Sequence, residues 1–223
     1  MKEVIAFLAE LQQNNNRVWF NANKDRYLQA QARFNAFTEE LIKGIAGFDK
    51  SITGLTAKDC IYRIYRDTRF SSDKTPYKCH MGAYINPGGK KSGYAGYYFQ
   101  VGATDDGFPN GNMLASGDYC YDPKVMRILR EDICNGEGDF DRIVKQAQPF
   151  QIDSNDMLKR NPTGFPADAP YPEYLRLKTY CLVYQPGRTF MYSDRLLEEV
   201  TEMFRVTQPF IEYVNRAIAF TKE

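Results

Sequence analysis

Hydrophobic positions recur at helical spacing at both ends of the chain and at alternate positions in the middle. Near the start, Val4, Phe7, Leu8 and Leu11 share one face of a helix predicted over residues 2–13. Asn14, Asn15 and Asn16 interrupt it, and asparagine favours caps and turns, so a corner is expected there. A long helix is predicted next, from about Val18 to Ile45. Its stripe is Phe20, Tyr27, Phe34 and Leu41, with Ala30 and Phe37 between them and Gly44 and Gly47 at its end. From Cys60 to Val101 the period drops to two. Residues 61–67, 79–86 and 94–101 read as strands, the last two joined by a turn-rich link from Pro87 to Gly93 that suits a hairpin. Residues 112–119 add a fourth strand. Pro123 opens a helix to about Cys134, and residues 139–147 form another short one. Pro162, Pro166, Pro170 and Pro172 specify an ordered or extended loop between Asn161 and Pro172. Residues 179–184 read as a late strand. Residues 194–220 read as a terminal helix that Pro209 should kink or split. This order predicts an α+β fold: a mostly antiparallel sheet packed with a long N-terminal helix and a C-terminal helix.

Length changes the picture little. A chain of 223 residues is expected to be a single domain over 1–223. A core of that size buries roughly 70% of the unfolded surface, so no disulfide or metal staple is required. Five cysteines, none in a Cys-x-x-Cys pair, read as reduced thiols and imply no metal. The N-terminal apolar stretch is interrupted by Glu3 and Glu10 and is no signal peptide. No apolar run is long enough to span a membrane, so a cytoplasmic location is expected. The net charge of +1 argues against long-range capture of a membrane or of DNA, which leaves nucleic acid weakly supported as a partner.

Charge is unevenly placed, however. Residues 58–80 hold six Lys and Arg against three Asp, a local +3, while the rest of the chain has 29 − 6 = 23 basic and 28 − 3 = 25 acidic residues. The only histidine, His80, lies in the same segment. Its central string, RIYRDTRFSSDKTPYK, resembles the signature of the bacterial and fungal domain-of-unknown-function family 2461. So do NNNRVWFNANKDRY at 14–27, NPGGKKSGYAGYYFQV at 86–101, residues 158–178 and QPFIEYVN at 208–215. The resemblance implies the same fold and a cytosolic home, and carries no activity or cofactor.

Chemistry is therefore read from the residues. On a single strand over 61–69, Arg63, Asp67 and Arg69 would share a face, opposite Arg66. Such guanidiniums, with Lys74 and Lys78, suit phosphate or carboxylate, and Asp67 and Asp73 could orient them. Tyr77 or Trp19 would supply an aromatic wall, and His80 a proton shuttle. Arg17, Trp19, Asn23 and Lys24 form a second group. Three readings stay open. One is a domain binding an anionic small molecule through 58–80. Another is an enzyme on a phosphate ester or nucleic acid, with Asp67, Asp73 and His80 as metal or acid–base groups. The third is an interaction protein whose arginines form a structural ion-pair network. Phosphate-loop and dinucleotide fingerprints are absent, and residues 92–99 match an RNA-recognition strand only in part.

Overall fold

The computed structural model describes residues 1–105 and 107–222. Helix α1 (Lys2–Gln13) buries Val4, Phe7, Leu8 and Leu11, as its spacing requires. Asn16 caps α2 (Arg17–Ala22) by accepting from the Trp19 amide at 2.9 Å, and α3 (Lys24–Phe48) follows. The single helix expected from Val18 is thus two. At Asn23 the backbone leaves helical angles (φ −109°, ψ 23°), while its amide and its side chain both donate to the Trp19 carbonyl at 3.0 Å, so the chain steps between helices there. Gly44 and Gly47 do not end α3. Gly44 lies where the helix passes Thr201, whose Oγ1 would be 2.8 Å from an added Cβ.

A short 3-10 turn (Lys50–Ile52) and α4 (Ala57–Cys60) come next, the latter begun by a reciprocal Thr56–Asp59 capping box. The remaining elements are β1 (His80–Ile85), β2 (Gly96–Gly102), β3 (Met113–Asp118), α5 (Pro123–Asn135), α6 (Asp139–Gln146), β4 (Gln151–Ile152), α7 (Pro172–Leu175), β5 (Tyr180–Tyr184), α8 (Arg188–Met191) and α9 (Leu196–Phe220). The five strands form an antiparallel sheet in the order β1-β2-β3-β5-β4, with Gln151 opposite Val183 and Ile152 opposite Leu182. With long helices towards both ends of the chain, the fold is α+β. Among the described residues no helix is long and apolar enough to cross a membrane. Pro209 does not split α9, because its neighbours Phe210, Ile211 and Phe204 are buried and their packing outweighs the lost N–H.

The described residues group into two compact units, 1–92 with 98–114 and 185–202, and 93–97 with 115–184 and 203–222. In the first, Phe34 and Phe37 of α3 pack on Phe99 of β2, at 6.0 and 4.9 Å between ring centroids. In the second, Phe140 gathers Tyr174, Tyr180, Phe210 and Tyr213 within 5.8 Å, and Ser116 and Thr207 share a buried hydrogen bond. Arg130 holds the end of α7 by donating to the Leu175 and Leu177 carbonyls, both at 2.9 Å. The Asn215 amide pairs with both backbone groups of Ala95, at 2.8 and 3.0 Å. All five cysteines are free thiols, and burial pushes Cys60 and Cys181 up to about 12.

Residues 61–67, expected as a strand, are extended without forming one. Only isolated bridges tie them to the following segment, Ile61 to Ala83 and Tyr65 to Tyr77. Ile61 and Tyr65 lie four positions apart and their partners Ala83 and Tyr77 six, so the ladder slips between the bridges. Three backbone bonds persist: Tyr62 to Gly82, Lys78 to Ile64 and Arg66 to Pro76, at 2.8–3.0 Å.

Candidate functional site

After Arg66 the chain turns away, and the shared face expected for Arg63, Asp67 and Arg69 does not exist. Asp67 instead accepts from the Arg69 amide at 3.2 Å and from its guanidinium at 2.6–3.2 Å, a local turn closed on itself. Arg66 is half-buried and acts as the hub of the loop. Its guanidinium donates to the Asp73 carboxylate, to the Thr75 hydroxyl and, at 3.3 Å, to the Thr75 carbonyl. Asp73 also accepts from the Thr75 amide at 2.9 Å. These backbone and guanidinium donors depress the Asp73 carboxyl to about 2. Two of the arginines of the basic segment are therefore paired with its own aspartates, as two separate ion pairs within a loop rather than a network along a strand.

The corner of asparagines fixes where this loop lies. Asn15 donates to the Tyr77 carbonyl at 2.9 Å and accepts from the Tyr77 amide at 3.1 Å, as a neighbouring strand would. Tyr77 is also stacked on Phe20, with centroids 3.9 Å apart. Between the two segments lies a basin of about 490 Å³, lined by Asn15, Asn16 and Arg17 on one side and Thr68, Lys74, Thr75 and Pro76 on the other. Its lining holds two cations and no carboxylate. Lys74 donates to the Thr68 carbonyl at 2.9 Å, and neither it nor Arg17 forms an ion pair among the described residues.

The other expected residues fall outside the basin. Arg63 is exposed, and its side chain, like that of Lys78, forms no hydrogen bond or ion pair among the described residues. Lys78 stands 5.4 Å from the Tyr62 ring, and burial, then the Arg63 charge, lowers its affinity for a proton. Lys24 sits over the Phe20 and Tyr27 rings at 5.2 and 4.9 Å, with its Nζ 3.4 Å from the Tyr65 hydroxyl. Trp19 packs on Phe7 rather than walling a pocket, and Asn23 serves the α2–α3 junction. His80 opens β1. Burial and the Lys78 charge hold its ring neutral, down to about 4, against a hydrogen bond to the Pro109 carbonyl, and its Nδ1 is buried without a partner. Asp67, Asp73 and His80 do not converge: among the described residues no three His, Cys, Asp or Glu side chains come together as metal ligands.

A family model described as a conserved hypothetical protein, DUF2461, matches residues 3–213. The chain belongs to this family. No curated protein and no solved structure matches it. The span that matches DUF2461 contains every residue of the basin.

Within this DUF2461 chain, Asn15 is the site-shaping residue that sequence reasoning missed. A run of three asparagines signals a corner, and nothing local says that the middle one reaches Tyr77, 62 residues away.

Two groups predict the acid response. His80 has an ordinary value of 6.5 and is depressed to about 4 in the folded chain, so its contribution is complete above 6.5 and is lost as pH falls towards 4. Asp73, depressed from 3.8 to about 2, contributes fully above 3.8 and is lost below it. Melting temperature followed from pH 7 to pH 2 should therefore fall in two stages. His80→Gln should flatten the upper stage and Asp73→Asn the lower. A profile unchanged in either variant would show that the group does not titrate as described.

Proposed function

We propose that this DUF2461 chain is a binding domain for a phosphate-bearing anion, held in the basin between Arg17 and Lys74. One observation carries the reading: the basin presents two cations, flanked by asparagine and threonine side chains, and no carboxylate faces it. Arg66, Arg69, Asp67 and Asp73 build and brace the loop that carries Lys74, a structural role that their mutual pairing supports. Arg17 takes the place that the basic strand alone was expected to fill.

A thermal-shift titration with inorganic phosphate and nucleotides tests this. A ligand at 100 times its Kd adds about 2.7 kcal/mol, which for a chain of this length raises the melting temperature by about 5–10 °C. The shift should vanish in the Arg17→Ala/Lys74→Ala double variant, whose exposed side chains leave the fold intact, and persist in Arg63→Ala. No shift with any anion, or a shift untouched in the double variant, would reject the reading.

A further inference from the structure

Two exposed rings stand beside the basin. Phe70 is 97% exposed, at the tip of a turn in which the Ser71 amide donates to the carbonyl of Thr68, itself a basin residue. Tyr65 is 45% exposed and pairs with Tyr77, next to Pro76 of the basin wall. Phe70 has the Arg69 guanidinium 5.8 Å from its centroid, and Tyr65 has the Lys24 ammonium at its hydroxyl. Flat rings beside a basin that holds two cations and no carboxylate match a ligand that alternates phosphates with flat bases.

Resting on the anion reading above, we propose that the occupant is a single-stranded nucleic acid, one phosphate group seated between Arg17 and Lys74 and a neighbouring base stacked on Phe70. A polymer fits better than a free nucleotide. Small-molecule sites enclose 70–90% of their ligand, whereas Phe70 stands clear of the protein and can only meet something that passes over the surface. A duplex keeps its bases stacked inside and offers this ring nothing. The chain's net charge of +1 sets the scale: few phosphates are neutralised and affinity is modest.

Fluorescence anisotropy with a labelled ten-nucleotide single strand tests the assignment on the full chain. Phe70→Ala should weaken binding about 5- to 100-fold. Phe70→Trp should keep or improve it, and Phe70→Leu, equally apolar but without a π face, should behave like the alanine variant. The logarithm of affinity should fall with the logarithm of salt at a slope near −0.7, the value for the one phosphate seated in the basin. The thermal shift with inorganic phosphate should not change in any Phe70 variant. If phosphate binds but the oligonucleotide binds no tighter than phosphate, the anion reading stands and this assignment falls. If neither binds, both fall. Equal binding of a duplex, full activity of Phe70→Leu, or equal competition by a phosphoserine peptide would each overturn it, the last in favour of a protein partner.

Discussion

Gly117→Ala should lower the melting temperature by about 10 °C. Gly117 lies in β3 with φ +133°, a conformation that L side chains rarely adopt. A Cβ there would press into the Tyr180 carbonyl oxygen and come within 2.8 Å of the Cys181 Cα in β5. Both neighbours are backbone, and the Tyr180 carbonyl is further held by the Tyr121 hydroxyl at 2.6 Å, so neither can step aside cheaply. Backbone strain of about 1–3 kcal/mol and overpacking of similar size together cost roughly 3–5 kcal/mol. At this length each kcal/mol is worth about 2–4 °C. The control is Gly47→Ala, at an exposed helical position with nothing within 4 Å of the new Cβ, which should be neutral or stabilise by about 0.5–1 kcal/mol. Urea unfolding followed by circular dichroism reads both. Equal midpoints for Gly117→Ala and wild type would show that β3 and β5 are not as close as described.

Asn15→Ala should cost about 2–4 kcal/mol, because it leaves the Tyr77 N–H and C=O facing a methyl group, and a desolvated backbone group without a partner costs about 1–3 kcal/mol. The same change releases the segment that carries Thr75 and Pro76, so the phosphate-induced thermal shift should be lost although Arg17 and Lys74 remain. Asn16→Ala removes a helix cap but no bond to the Tyr77 segment, and should cost about 1 kcal/mol. The comparison isolates the long-range contact from the local one. If the two alanine variants melt together, the Asn15–Tyr77 pairing does not organise the basin.

Periodicity made the long helices readable. The helical stripe of α1 and the seven-residue spacing of Phe20, Tyr27, Phe34 and Leu41 each record one buried face, and a buried face leaves its mark in order of residues. β1 and β2 are buried along nearly their whole length, on both faces, and show through the turn residues that flank them. Pieces of two to four residues, such as α4, β4, α7 and α8, are too short to show a period. The step at Asn23 lies in the backbone angles of one residue, which periodicity does not register.

The site was legible only as a charge excess. Residues 58–80 announce themselves by composition, and the family signature lies in the same place. Which cations are cancelled depends on the turn after Arg66, and that turn depends on a ladder that slips because one segment spends more residues between bridges than its partner. Arg17 and Lys74, 57 positions apart, share a basin because Asn15 takes the backbone of Tyr77 as its partner and Phe20 stacks on its ring.

By itself, then, the sequence determined the α+β class, the long helices, most of the strands and the location of the positive charge, since each is written in local spacing or composition. The tertiary structure decided which arginines serve the fold and which cations face solvent together. Those outcomes rest on contacts between distant segments, and a contact of that kind has no period and no composition to betray it.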